Sequence, residues 1–152
     1  MAKSKNKHNL SAAVGSSIVR DDDRIRETGE IFTPSELCDA MVAEQLELLG
    51  DTLDGETIVT FIDNSAGCGN FLLALKKALL EYGYSERTIL EEMLFAVERE
   101  RDNYEELCAN LGVEVDHKHY VCHDALTYDY SFDNSHLLVA LDVFGNPRTT
   151  TS

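Results

Sequence analysis

Residues 57–71, Thr57-Ile58-Val59-Thr60-Phe61-Ile62-Asp63-Asn64-Ser65-Ala66-Gly67-Cys68-Gly69-Asn70-Phe71, decide the fold. Thr57 to Asp63 is β-branched and apolar, the composition of a strand buried on both faces. It ends on an acid and enters a loop with two glycines, residues that turn the backbone sharply and leave it open to close approach. Phe71, Leu72, Leu75 and Leu79 then recur at helical spacing as far as Tyr82, and Gly83 closes the helix. The unit is strand, glycine loop, helix.

Downstream the pattern continues. A short helix is expected over 85–92, a strand over Leu94–Val97 and a helix over Asp102–Leu111, stopped by Gly112. The third strand is either Val113–Val115 or, preferred, His119–Cys122, and Leu137–Phe144 reads as a fourth. Strands alternating with helices indicate an α/β protein with a mostly parallel sheet flanked by helices. Upstream, Thr33-Pro34-Ser35-Glu36 is a helix start: Thr33 caps, Pro34 suits the first position and Glu36 completes a capping box. Leu37, Met41, Val42, Leu46 and Leu49 follow at helical spacing, so an N-terminal helix precedes the sheet and ends at Gly50. Residues 1–27 are polar, carry the run Asp21-Asp22-Asp23 and are expected to form a flexible arm, leaving 28–152 as one domain.

The 152 residues contain 28 acids and 13 bases, a formal charge of -15. The bases concentrate early: Lys3, Lys5, Lys7 and Arg20 stand in the first twenty residues, which hold no acid. The remaining body is therefore more acidic still and repels polyphosphate at long range, which argues against an autonomous DNA-binding domain. No apolar run is long enough to span a membrane and no secretory signal opens the chain. Cys38, Cys68, Cys108 and Cys122 form no C-x-x-C pair and suit no zinc site, so no metal is expected. Reduced thiols in a cytoplasmic protein are the expectation.

The chemistry of a parallel sheet lies at the carboxyl ends of its strands. There the loop after Asp63 lacks both the third glycine of a dinucleotide fingerprint and the lysine of a P-loop. Pyrophosphate is thus not the expected ligand, and Asp63 points to one with a positive group. Glu98 ends the second strand, placed either to accept from two ribose hydroxyls or, with Arg99 and Glu100, to form a solvated helix entry. Asp124, after the third strand, is either an acceptor for an exocyclic amine or a loop-capping aspartate.

Taken in order, these elements resemble the N-terminal, cofactor-binding part of the S-adenosylmethionine-dependent N6-adenine DNA methyltransferases of restriction–modification type. Gly29-Glu30-Ile31-Phe32-Thr33-Pro34 resembles the family's leading aromatic-Thr-Pro motif. Asp63-Asn64-Ser65-Ala66-Gly67-Cys68-Gly69-Asn70-Phe71 resembles its cofactor loop, Asp-Pro-Ala-Cys-Gly-Ser-Gly-Asn-Phe, with the small residues permuted and Asn64 in place of proline. Ala96-Val97-Glu98 and His123-Asp124-Ala125-Leu126 match its ribose-binding strand end and adenine-contacting acid. The resemblance implies a truncated Rossmann-like class I methyltransferase fold with S-adenosyl-L-methionine as cofactor. It implies a site of Phe32, Thr33, Asp63, Ser65, Ala66, Gly67, Gly69, Asn70, Phe71, Glu98 and Asp124. Phe32 and Thr33 would cover the methionine end, Asp63 would attract the amino group, Gly67 and Gly69 would give backbone access, Glu98 would hold the ribose and Asp124 the adenine amine.

The chain departs from the family at its catalytic motif, Asn/Asp-Pro-Pro-Tyr/Phe. Asn146 and Pro147 match and are the catalytic candidates, but Arg148 and Thr149 replace the second proline and the ring that stacks on a flipped base. With Ser152 three residues on, the domain is expected to be incomplete at its C-terminus and the isolated chain inactive. DNA would be engaged only if another subunit or domain completed it. The fourth strand would also be left as an apolar edge, favouring a homo-oligomer or a partner protein. The alternative is a non-catalytic methyltransferase remnant acting as an acidic protein-binding module.

Overall fold

The structure, a computed structural model, describes residues 22–28 and 32–135. The elements run α1 (Asp22–Thr28), α2 (Ser35–Leu49), a 3-10 turn (Gly50–Thr52), β1 (Phe61–Asp63), α3 (Asn70–Glu81), α4 (Glu86–Thr88), a π-helical turn (Ile89–Met93), β2 (Leu94–Glu98), α5 (Arg101–Leu111) and β3 (Tyr120–Cys122). The three strands form one parallel sheet in the order β1-β2-β3, with Phe61 beside Leu94 and Ala96 beside Tyr120. A small parallel sheet flanked by helices is the expected α/β arrangement. The expected fourth strand, Leu137–Phe144, and the edge argument that depended on it lie outside the described residues.

Strand β1 is shorter than its composition predicts. Thr57 to Thr60 forms no ladder because β2 begins at Leu94, opposite Phe61. Thr57 is held by local and tertiary bonds instead: its N–H donates to Asp54 Oδ1 at 2.7 Å and its carbonyl accepts from Tyr84 Oη at 2.7 Å. The third strand falls at the preferred position, as Tyr120–Cys122. The helix expected over 85–92 starts with Ser85 capping Thr88 N–H at 3.1 Å, then widens into the π-helical turn that buries Ile89, Leu90 and Met93.

Helix α2 begins one residue late. Its first N–H groups, of Leu37 and Cys38, both reach the carbonyl of Pro34, and no side chain caps it, so the capping box does not form. The carbonyl of Thr33 accepts from Asn70 Nδ2 at 3.0 Å and from Cys38 Sγ at 3.6 Å, rather than from a backbone N–H of the helix. The buried stripe of α2 is Cys38, Val42 and Leu46, whereas Leu37 and Met41 are about half exposed, at 51% and 48%.

The core joins α2 to α3 through Val42, Leu46, Leu72, Leu75 and Leu79, and α5 to the sheet through Leu107, Leu111, Leu94 and Tyr120. Full burial of each such side chain contributes about 1.5–3 kcal/mol. Buried tyrosines find partners for their hydroxyls: Tyr120 Oη donates to the Leu90 carbonyl at 2.8 Å and Tyr104 Oη accepts from Asp116 N–H at 2.8 Å. Of the arm expected over residues 1–27, residues 22–27 are described. They belong to α1, where Arg24 makes a bidentate pair with Asp102 in the first turn of α5, at 2.6 and 3.0 Å. A bidentate fork fixes orientation as well as distance.

Candidate functional site

The carboxyl ends of all three strands open into one cavity of about 630 Å³, a size suited to a ligand of cofactor dimensions. Its wall begins with Asp63, the last residue of β1. Asp63 Oδ1 accepts from Ser65 N–H at 3.0 Å, an Asx turn that starts the loop. Burial pushes the Asp63 carboxyl above its ordinary pKa, partly opposed by that hydrogen bond.

The loop follows β2 for one further bond, Ala66 N–H to the Val97 carbonyl at 3.3 Å, then turns through Gly67 at φ 55° and Gly69 at φ 94°. Asn110 Nδ2 of α5 holds it from behind by donating to the Cys68 carbonyl at 3.0 Å. The two glycines have separate jobs. Gly67 lines the cavity, with Phe32 packed directly on it. Gly69 is buried outside the lining; a Cβ there would make only ordinary contact with Leu107 at 3.4 Å, so it is the left-handed turn into α3, at φ 94°, that this glycine serves.

Glu98 ends β2 at only 8% exposure. Its Oε2 accepts from Gly67 N–H at 2.7 Å and its Oε1 from Glu100 N–H at 2.9 Å. The carboxylate is thereby fixed toward the glycine loop, and each oxygen keeps a further lone-pair site for a donor. The Glu98 carbonyl accepts from His123 N–H at 3.0 Å, which brings the turn after β3 alongside. There Asp124 Oδ1 accepts from Leu126 N–H at 2.9 Å, so Asp124 caps its own loop and also lines the cavity.

The remaining wall comes from the segment before α2 and the start of α3. Phe32, Thr33, Asn70 and Phe71 line the cavity, and the bond from Asn70 to the Thr33 carbonyl ties the two segments together. Thus Phe32, Thr33, Asp63, Ser65, Ala66, Gly67, Asn70, Phe71, Glu98 and Asp124 converge on one space, and Gly69 stands behind it. Asn146 and Pro147 lie outside the described residues. Asn64, Arg99, Glu100, Asn103, Ala125 and Leu126 also line the cavity and were not singled out as site residues. Arg99 and Glu100 follow the strand-end acid directly, a position that signals proximity. Asn103 carries no such signal, because its approach depends on how α5 leaves the sheet.

Among the described residues no group of three metal-ligating side chains occurs, and no helix is long and apolar enough to cross a membrane. No protein-family model matches the chain, and no curated protein matches it.

Proposed function

We propose that the cavity binds S-adenosyl-L-methionine, and that the chain is the cofactor-binding part of a Rossmann-like adenine-N6 DNA methyltransferase. The observation that carries this reading is Glu98: a carboxylate at the end of the middle strand, oriented by two backbone N–H groups and retaining acceptor sites toward the cavity. A vicinal diol such as that of ribose needs an acceptor of this kind at this place in a parallel sheet. The carboxylates around it oppose a polyphosphate ligand and suit one bearing an ammonium and a sulfonium.

The residues fit the parts of the cofactor. Asp63 ends β1 and Asp124 follows β3, with β2 between those strands, so Asp63 is assigned to the amino group of the methionine end. Phe32 and Thr33 close over that end, and Asp124 accepts from the adenine amine. When bound, the cofactor supplies an activated methyl group; this chain's residues bind it, orient it and exclude water. Adenine in DNA as the acceptor rests on the family resemblance, which also implies Asn146 as the residue to hold the target amine once another subunit or domain grips the nucleic acid.

Calorimetric titration with S-adenosylmethionine tests the reading. Binding is expected, and Glu98→Ala is expected to weaken it by about 1–3 kcal/mol, the cost of orphaning hydrogen-bonded groups. No heat of binding at millimolar ligand, or an unchanged affinity in a folded Glu98→Ala protein, rejects it. Methyl transfer from tritiated cofactor to DNA, with and without added partner subunits, tests the acceptor.

A further inference from the structure

Helix α2 presents a second apolar row besides the one that it buries. Leu37, Met41, Glu44 and Leu48 follow one another at intervals of four, three and four residues, the spacing that aligns side chains on one helix face. The three apolar members are exposed, Leu48 most of all at 79%. Asp39, on the far side of the helix from this row, pairs with Lys77 of α3 at 3.7 Å, and Cys38, Val42 and Leu46 fill the core side. Single exposed apolar residues need no partner, but three in one row make a patch of the kind that marks a contact surface. Its surroundings are acidic. Helix α2 holds Glu36, Asp39, Glu44 and Glu47 and no base, and among the described residues only Asp39 of the four is in an ion pair.

We propose that the occupant of this row is the chain's own N-terminal segment, residues 1–20. Its composition complements α2. It carries Lys3, Lys5, Lys7 and Arg20 and no acid, and its apolar Leu10, Val14 and Ile18 stand four residues apart. Bases meet the unpaired Glu36, Glu44 and Glu47, and apolar side chains meet Leu37, Met41 and Leu48. The body of a second copy is the poorer occupant, because all 28 acids of the chain lie beyond residue 20 and two such surfaces repel. Reach permits the contact. Helix α1, from which the segment runs back, is about 10 Å long. The residues between α1 and α2 span at most about 25 Å, whereas twenty residues extend to about 70 Å. The tether also keeps the segment at a high effective concentration, so individually weak contacts suffice. Nothing in this contact depends on what the cavity binds.

Met41 reports on the contact, because peroxide oxidises an accessible methionine to the sulfoxide and spares a covered one. Hydrogen peroxide is neutral, so its approach does not respond to the charges that are changed. The full chain is treated with it, and sulfoxide at Met41 and at the fully buried Met93 is followed by peptide mass spectrometry. At low salt Met41 is expected to react about fivefold more slowly than in 1 M NaCl, where the screening length falls to about 3 Å. Lys3→Glu, Lys5→Glu and Lys7→Glu together remove the protection at low salt. Adding Glu36→Lys, Glu44→Lys and Glu47→Lys restores it, a rescue that loss of folding does not mimic, and slow oxidation of Met93 shows that each variant is folded. Ile18→Asp, which leaves α2 untouched, is expected to release Met41 as well. Oxidation of Met41 that is indifferent to salt and to the substitutions in residues 1–20 overturns the proposal. Protection that grows with protein concentration also overturns it, by placing another copy on the row.

Discussion

The ring of Phe32 occupies the space where any residue but glycine at 67 would carry its Cβ: an ideal Cβ on Gly67 stands 2.5 Å from Phe32 Cε1. Gly67 is also left-handed, at φ 55°. The aromatic before α2 and the first glycine of the loop are therefore one feature, although 35 residues separate them. The close approach of Gly67 serves Phe32 as well as any ligand.

Gly67→Ala is accordingly expected to destabilise the fold by about 1–3 kcal/mol, from backbone strain and overpacking together. It also weakens S-adenosylmethionine binding. Thermal melts of Gly67→Ala, Phe32→Ala and the double variant form a cycle. The double variant recovers the clash and retains the strain, so the two substitutions are expected to be less than additive. Strict additivity would show that the two residues do not touch.

Asn70 joins the first turn of α3 to the segment before α2. It is buried, donates to the Thr33 carbonyl at 3.0 Å and accepts from Cys68 Sγ at 3.6 Å. Asn70→Ala leaves the Thr33 carbonyl without this donor and is expected to cost about 1–3 kcal/mol in urea denaturation. Cofactor affinity falls with it, because Phe32 and Thr33 lose their tether. A stability loss with unchanged affinity would separate this segment from the site.

At the other end of β3, His119 is buried, stacks on Phe95 with ring centroids 4.0 Å apart, and has no hydrogen-bond partner for Nδ1 among the described residues. Burial, with His117 and Lys118 beside it, lowers its pKa to about 4, against weaker opposition from the Leu94 backbone and Glu91. Between about pH 4 and 6.5 the unfolded chain binds a proton at this residue that the folded chain does not, so stability rises with pH across that window. The contribution is complete above 6.5 and amounts to about 2 kcal/mol between pH 7 and pH 5. His119→Phe keeps the stacking and is expected to flatten that slope in denaturation series at several pH values. An equal slope in the variant would place the proton uptake elsewhere. The raised Asp63 pKa acts in the opposite sense, favouring the folded state as pH falls toward the carboxylate range.

Arg24 pairs with Asp102 across the gap between α1 and α5, with side chains 24% and 48% exposed. Exposed pairs contribute little, and this one is bidentate and half covered, so Arg24→Ala is expected to cost about 0.5–1 kcal/mol. Limited proteolysis gives a sharper readout: cleavage near residues 22–28 speeds up in the variant if this pair docks α1. An unchanged cleavage pattern would show that α1 is held by something else.

The local patterns were legible in the sequence because they depend on neighbours in the chain. The helical spacing of Leu72, Leu75 and Leu79, the apolar run of β2 and the left-handed Gly112 after α5 all stand where periodicity and turn chemistry put them. So do the acids at the ends of β1 and β2, whose joint place follows from the alternation of strand and helix. The tertiary structure alone decided what depends on distant partners. It shortened β1, because a strand extends only where a neighbour offers a ladder. It started α2 from the Pro34 carbonyl and tied Thr33 to Asn70, 37 residues on. It chose Cys38 over Leu37 and Met41 for the buried face, set Gly69 behind the cavity rather than in its wall, and brought Asn103 and Arg99 to the cavity. Apolar spacing states that a face exists; contacts between residues far apart in sequence decide which face is covered and what a turn is for.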